Sequence, residues 1–257
     1  MGLPMKDRTF VSTQLGGWPF LDDRHAPQRL LTAVACVRLT RRDGPSPAPP
    51  LEALAAVLAP AEALRIRALD LPQPPPTGRL CPTRHRAVHD ALRLIAELVP
   101  AWSTLLNTLP VTYLPLPAAH AGSSASCFAW PQHILLADRA FTSSAILAEQ
   151  VLHELCHQWL YLCEELVPVQ RPGSLPRFTL PSGTAGRSPA EVLGAAHVTC
   201  ALARLWPRLA VPAPVRDRRL ARLDAYQRGC RALLTDTRPY LTTHGHALAD
   251  RLLERSA

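Results

Sequence analysis

The apolar positions of this chain are most regular between residues 144 and 167. Leu147, Val151, Leu155, Trp159, Leu162 and Leu166 recur at steps of three and four, the spacing of one helix face. Pro168 closes the run, because proline has no N–H and clashes with the turn before it. The pattern therefore predicts a helix over 144–167. Val88, Leu92, Ile95 and Val99, with Pro100 behind them, predict another over 83–99. Ser188-Pro189-Ala190-Glu191 opens a third. Serine at the cap, proline at the first helical position and glutamate three residues on form a capping box, and this helix ends at Trp206. An Arg-rich helix is predicted over 215–234, and a short one closes the chain at Arg255. Residues 51–68 read as a helix broken at Pro60. Residues 33–39 suit a strand or a short buried helix, since periodicity does not separate the two in so short a run. Residues 111–114 and 133–136 read as short strands, with small residues 122–128 between them. The fold class expected is α+β, mostly helical, with a few short strands.

Two proline-rich stretches, 44–50 and 71–78, punctuate the first third, and a long Gly/Pro-rich loop spans 168–187. They suggest a proline-punctuated lobe over 1–80 and a catalytic domain over 81–257. Composition narrows the classes. No apolar run reaches the ~20 residues of a membrane span. The net charge is +8, and Lys6 is the single lysine, so the positive charge is almost all arginine. Aromatics are only 5% and do not interleave with the arginines, so nucleic acid is not an expected partner. Seven scattered cysteines argue against a disulfide framework. The first residues show no charged segment followed by an apolar one, and a cytoplasmic location is expected.

His153-Glu154-Leu155-Cys156-His157 is H-E-x-x-H inside the strongest predicted helix. With this composition, chance would supply about 0.01 such motifs. Four residues are close to one helical turn, so both imidazoles project from one face onto one ion. That face lies opposite the Leu147–Leu166 stripe. A third ligand must come from elsewhere, and the helix 188–206 offers two. His197 is favoured because it sits beside the small residues Gly194, Ala195 and Ala196. Glu191 already has a role in the capping box, but as a carboxylate it would complete the 2-His-1-carboxylate set of iron oxygenases. A metal cleft between these two helices is expected. His85 and His89 are also one turn apart, but Arg86 replaces the glutamate, and a solvated helix face is expected there. His244 and His246 read as a helix entry, and Cys156 as packing. The residues alone slightly favour a zinc peptidase, with Glu154 as general base on a metal-bound water.

Several segments, in this order, resemble the 2-oxoglutarate-dependent HExxH peptide β-hydroxylases that modify ribosomally made peptide natural products. They include Ala91 to Pro100, Ser124-Ala125-Ser126, Ile146 to Leu152 leading into the motif, Leu166-Val167-Pro168, Gly186-Arg187-Ser188-Pro189, Arg204-Leu205-Trp206, and Leu241 to His246. The similarity covers roughly residues 90–255. It implies an Fe(II) oxygenase that uses 2-oxoglutarate and O2 to hydroxylate a Cβ of a precursor peptide, which would be its partner. It makes iron the metal on His153 and His157, with His197 or Glu191 of the helix 188–206 as third ligand, and reverses the preference for zinc. The surroundings of Gly194 and His197 depart from the family pattern and leave the third ligand open. Arg187, just before the capping serine, is the expected anchor for the distal carboxylate of 2-oxoglutarate, because arginine pairs carboxylates bidentately. Arg177 and Arg139 are the other candidates. The arginines of 216–231 are expected to hold an acidic leader peptide.

Overall fold

The structure is a computed structural model that describes residues 9–45, 48–74 and 76–254. Ser46, Pro47 and Pro75 of the proline-rich stretches, the first eight residues and the expected helix end at Arg255 lie outside the described residues. Along the chain run α1 (Phe10–Gln14), α2 (Pro27–Asp43), α3 (Leu51–Ala56), α4 (Pro60–Arg67), α5 (Pro82–Leu98), α6 (Ser103–Thr108), β1 (Thr112–Pro115), β2 (Ser124–Ala125), β3 (His133–Leu136), α7 (Ser144–Leu166), α8 (Pro189–Leu205), α9 (Ala213–Thr237) and α10 (Thr243–Glu254). With 61% of the described residues helical and one three-stranded sheet among them, the fold is α+β and mostly helical.

Residues 33–39, open between strand and helix on sequence grounds, belong to α2. Pro60 breaks the 51–68 helix as expected and starts α4 at its first position, where the missing N–H costs nothing. Ser143 caps α7, its hydroxyl accepting from the Ile146 N–H. The capping box of α8 is formed in full by Ser188 and Glu191. The small-residue segment before β3 supplies β2, an edge strand that sequence did not announce.

The sheet order is β1-β3-β2, with β1 parallel and β2 antiparallel to β3. Ile134 and Leu136 face the main core, whereas Leu135 joins Leu114, Leu116 and Ala137 on the other side, as strand alternation requires. One side of α7, the Leu147–Trp159–Leu162 stripe, is buried in the core that α2 and α5 also enter through Leu30, Val34, Val88 and Ile95. Helix α8 packs between α7 and α9, so its buried residues lie all round it. Residues from both sides of position 80 share this core. A smaller cluster of Ala35, Leu39, Val57 and Ile66 joins α2 to α4.

Two polar devices fix α7 against the sheet and the N-terminal helices. The Gln158 amide accepts from the Gln132 N–H at 2.6 Å and donates to the His133 carbonyl at 3.1 Å. Arg38 grips Glu165 through Nε at 2.9 Å and Nη2 at 2.7 Å, and its Nη1 donates to Gln132 and Val57. Arg67 adds a second cation 3.0 Å from Glu165.

Candidate metal centre

Helix α7 presents His153 and His157 one turn apart, with ring centroids 5.1 Å apart. Among the described residues neither imidazole has a hydrogen-bond partner, which leaves their nitrogens available. The His153 side chain is 39% exposed, and that of His157 also reaches solvent, though crowded by protein. Burial, aided by the charges of His153, His197 and Arg187, pushes His157 well below the usual imidazole range. It is therefore neutral at ordinary pH, the form in which imidazole binds a metal. Tyr161 stacks on it, with centroids 6.0 Å apart and planes at 17°.

Glu154 lies beside the pair, its Oε1 3.9 Å from His153 Nε2. Its carboxylate is 3% exposed and turned to the sheet edge, where Ser124 donates to Oε1 and Ser126 to Oε2, both at 2.6 Å. The two serines are i and i+2 on β2 and its extension, so both face α7. Ser124 also lies 2.9 Å from the Gln150 amide. Its single proton is shared between Glu154 and the Gln150 amide oxygen, while the Gln150 NH2 donates to Glu149 at 3.4 Å.

The expected third ligand is not assembled with this pair. No group of three or more His, Cys, Asp or Glu is arranged around one metal position among the described residues. His197 is fully buried and its Nε2 lies 2.7 Å from the Pro19 carbonyl. That contact ties α8 to the N-terminal loop and leaves Nδ1 buried without a partner. Burial is also the main reason its pKa falls to about 4. A bare ring nitrogen opposite a carbonyl-bound one is the usual state of a metal-ligating histidine. Glu191 has both oxygens engaged, by the Ser188 N–H at 2.8 Å and Arg187 at 2.6 Å. Burial alone would raise its carboxyl, but these two partners outweigh it and hold the pKa below the ordinary value.

Arg187, just before the cap of α8, is close enough to act on His157. Its Nη1 is taken by Glu191, while its Nε is buried with no partner. Arg177 is 65% exposed and 3.9 Å from Glu191. Arg139 is committed to the loop before β2 through Ser123, His120 and Gly122. In α9, Arg219 turns inward to the buried Glu149, which also accepts from the Trp206 indole at 2.6 Å. Arg228 pairs with Asp224 and Arg216 stands 3.8 Å from Asp217, while Arg218 and Arg222 are exposed.

Sequence reasoning missed the roles of Ser124, Ser126, Tyr161 and Glu164. Tyr161 and Glu164 continue the His153–His157 face at four and seven residues beyond His157, a spacing that marked them. Glu164 touches solvent yet is crowded by protein, and burial raises its pKa to about 7, with Arg67 opposing and Glu191 adding to the rise. A separate cavity of about 890 Å³ lies between the 9–22 segment and α10, and shares no residue with the motif. Its acids are paired, Asp22 with Arg251 and Asp250 with Arg238.

The residues present fit two ligands of a divalent ion. Gly194 contributes, since a Cβ there would stand 3.3 Å from His157 Nδ1 and close the space beside the ring. The site is thus a two-histidine face on a helical α+β scaffold, with a strand-bound glutamate behind it. Comparison with known proteins finds no matching family model and no matching curated protein. Among the described residues no helix is long and apolar enough to cross a membrane.

Proposed function

We propose that the protein is an Fe(II)- and 2-oxoglutarate-dependent oxygenase that hydroxylates a side-chain Cβ of a ribosomally made precursor peptide. The observation that carries this reading over a zinc peptidase is the state of Glu154. A peptidase needs a carboxylate oxygen free to take a proton from metal-bound water. Here both oxygens accept hydroxyl protons from Ser124 and Ser126, so Glu154 acts as a strut between α7 and the sheet edge. His153 and His157 hold the iron, with His197 the third donor through its bare Nδ1 and Glu191 the alternative. Bound iron with 2-oxoglutarate and O2 supplies the oxidising power for C–H hydroxylation. The chain's part is to orient the two imidazoles, keep His157 neutral and offer a cation. Arg187 supplies that cation, its Nε being without a partner while Nη1 holds Glu191.

The test is metal analysis on anaerobically purified protein, followed by succinate release with Fe(II), 2-oxoglutarate and O2. Turnover that needs all three supports the reading. Peptide cleavage with Zn(II) and no dependence on 2-oxoglutarate overturns it. Arg187→Leu should raise the 2-oxoglutarate requirement and leave metal content unchanged.

A further inference from the structure

The chelating arrangement of the motif occurs a second time. His85 and His89 lie one turn apart on α5, with ring centroids 4.7 Å apart and planes at 59°. The motif pair stands at 5.1 Å and 60°. The two pairs differ in setting. Helix α5 buries Val88, Ala91 and Ile95 against the core, so His85 and His89 face solvent, and both are exposed. Neither imidazole is held by a hydrogen bond or ion pair among the described residues. Two of the charges around them are neutralised, Arg84 by Asp138 at 2.7 Å and Arg93 by Asp90 at 2.5 Å.

We propose that His85 and His89 form a second, surface metal site for a late first-row divalent ion, Cu²⁺ ahead of Ni²⁺ or Zn²⁺. Two imidazoles one turn apart on a rigid helix bind a common ion without rearranging the backbone. No third protein donor completes the set among the described residues, so water fills the other positions. Such a site follows the general affinity order of divalent ions, in which Cu²⁺ stands highest and Fe²⁺ low. It therefore collects copper, nickel or zinc in preference to iron from a mixture. The site is independent of the reaction assigned to the cleft.

The probe is Cu²⁺ alone, titrated into the full chain by calorimetry and followed by electron paramagnetic resonance. The background is Cys36→Ser with Cys81→Ser, because these exposed thiols would otherwise reduce or bind the ion. His153→Ala with His157→Ala removes the motif pair. One Cu²⁺ should remain bound in that variant, with the spectrum of two nitrogen ligands. Adding His85→Ala or His89→Ala should weaken the remaining site about 10²-fold, the loss expected when a chelating pair becomes a single ligand. Both positions are exposed, so circular dichroism should be unchanged. No bound copper in the motif-less variant, or an affinity that His89→Ala leaves untouched, would overturn the assignment.

Discussion

Gly194 of α8 lies directly against the imidazole of His157, with only 3.3 Å between a Cβ built there and Nδ1. This contact explains a glycine in mid-helix, where alanine would be favoured by about 1 kcal/mol. Gly194→Ala should therefore separate two properties. The helix gains propensity, so the melting temperature of the metal-free protein should not fall. The ring must move by a few tenths of an ångström, so metal affinity should drop several-fold. Both are read on one preparation, by thermal unfolding and metal titration. An unchanged affinity would show that the glycine does not guard the ring.

The buried ion pair behind the motif sets a second expectation. Arg38 and Glu165 have side chains only 2% and 6% exposed. Arg38→Met leaves the carboxylate with Arg67 alone and removes donors from Gln132 and Val57. Breaking such a pair from one side costs about 3–5 kcal/mol, to be measured by urea unfolding. A loss below 1 kcal/mol would mean that Arg67 compensates in full.

Legibility differed by element for physical reasons. Helix α7 was readable because one side buries a regular stripe, and α8 because its capping box is local chemistry. Strand β2 was not readable. It is two residues long and owes its place to β3 and to Glu154, partners distant in sequence. Residues 33–39 were ambiguous because a buried helix turn and a buried strand carry the same apolar run. In the site, the His153–His157 pair followed from spacing alone. The engagement of His197 by Pro19, 178 residues away, follows from tertiary packing that no local pattern encodes.

Glu164 gives a pH dependence whose sign can be worked out. Its carboxyl titrates near 7 in the folded chain against an ordinary value of 4.5. Between these values the folded protein keeps a proton that the unfolded chain has lost. Stability therefore falls as pH rises through that window, and the penalty is complete above the folded value. Because the side chain touches solvent, screening reduces the effect. Glu164→Gln should narrow the difference in melting temperature between about pH 5 and about pH 8. An unaltered slope would place the titration in another group.

The serine–glutamate contact separates the two chemistries that H-E-x-x-H can serve. Ser124 and Ser126 hold both oxygens of a carboxylate that is 3% exposed. Replacing both serines with alanine leaves it without these donors, which costs about 1–3 kcal/mol for each buried group unsatisfied. If Glu154 is a strut, the double variant should retain metal, continue to consume some 2-oxoglutarate and lose coupling to peptide hydroxylation. If Glu154 were a general base, freeing its oxygens should preserve or raise peptide cleavage. Glu154→Gln makes the reciprocal test. The amide keeps the shape and accepts from one serine, while the other hydroxyl rotates to accept from its NH2. A strut survives that change with partial turnover, whereas a general base loses ~10²-fold or more in rate. Measuring succinate, hydroxylated peptide and cleaved peptide in the same reactions distinguishes the cases. A Glu154→Gln protein that keeps its metal but loses all 2-oxoglutarate consumption would sink the strut assignment.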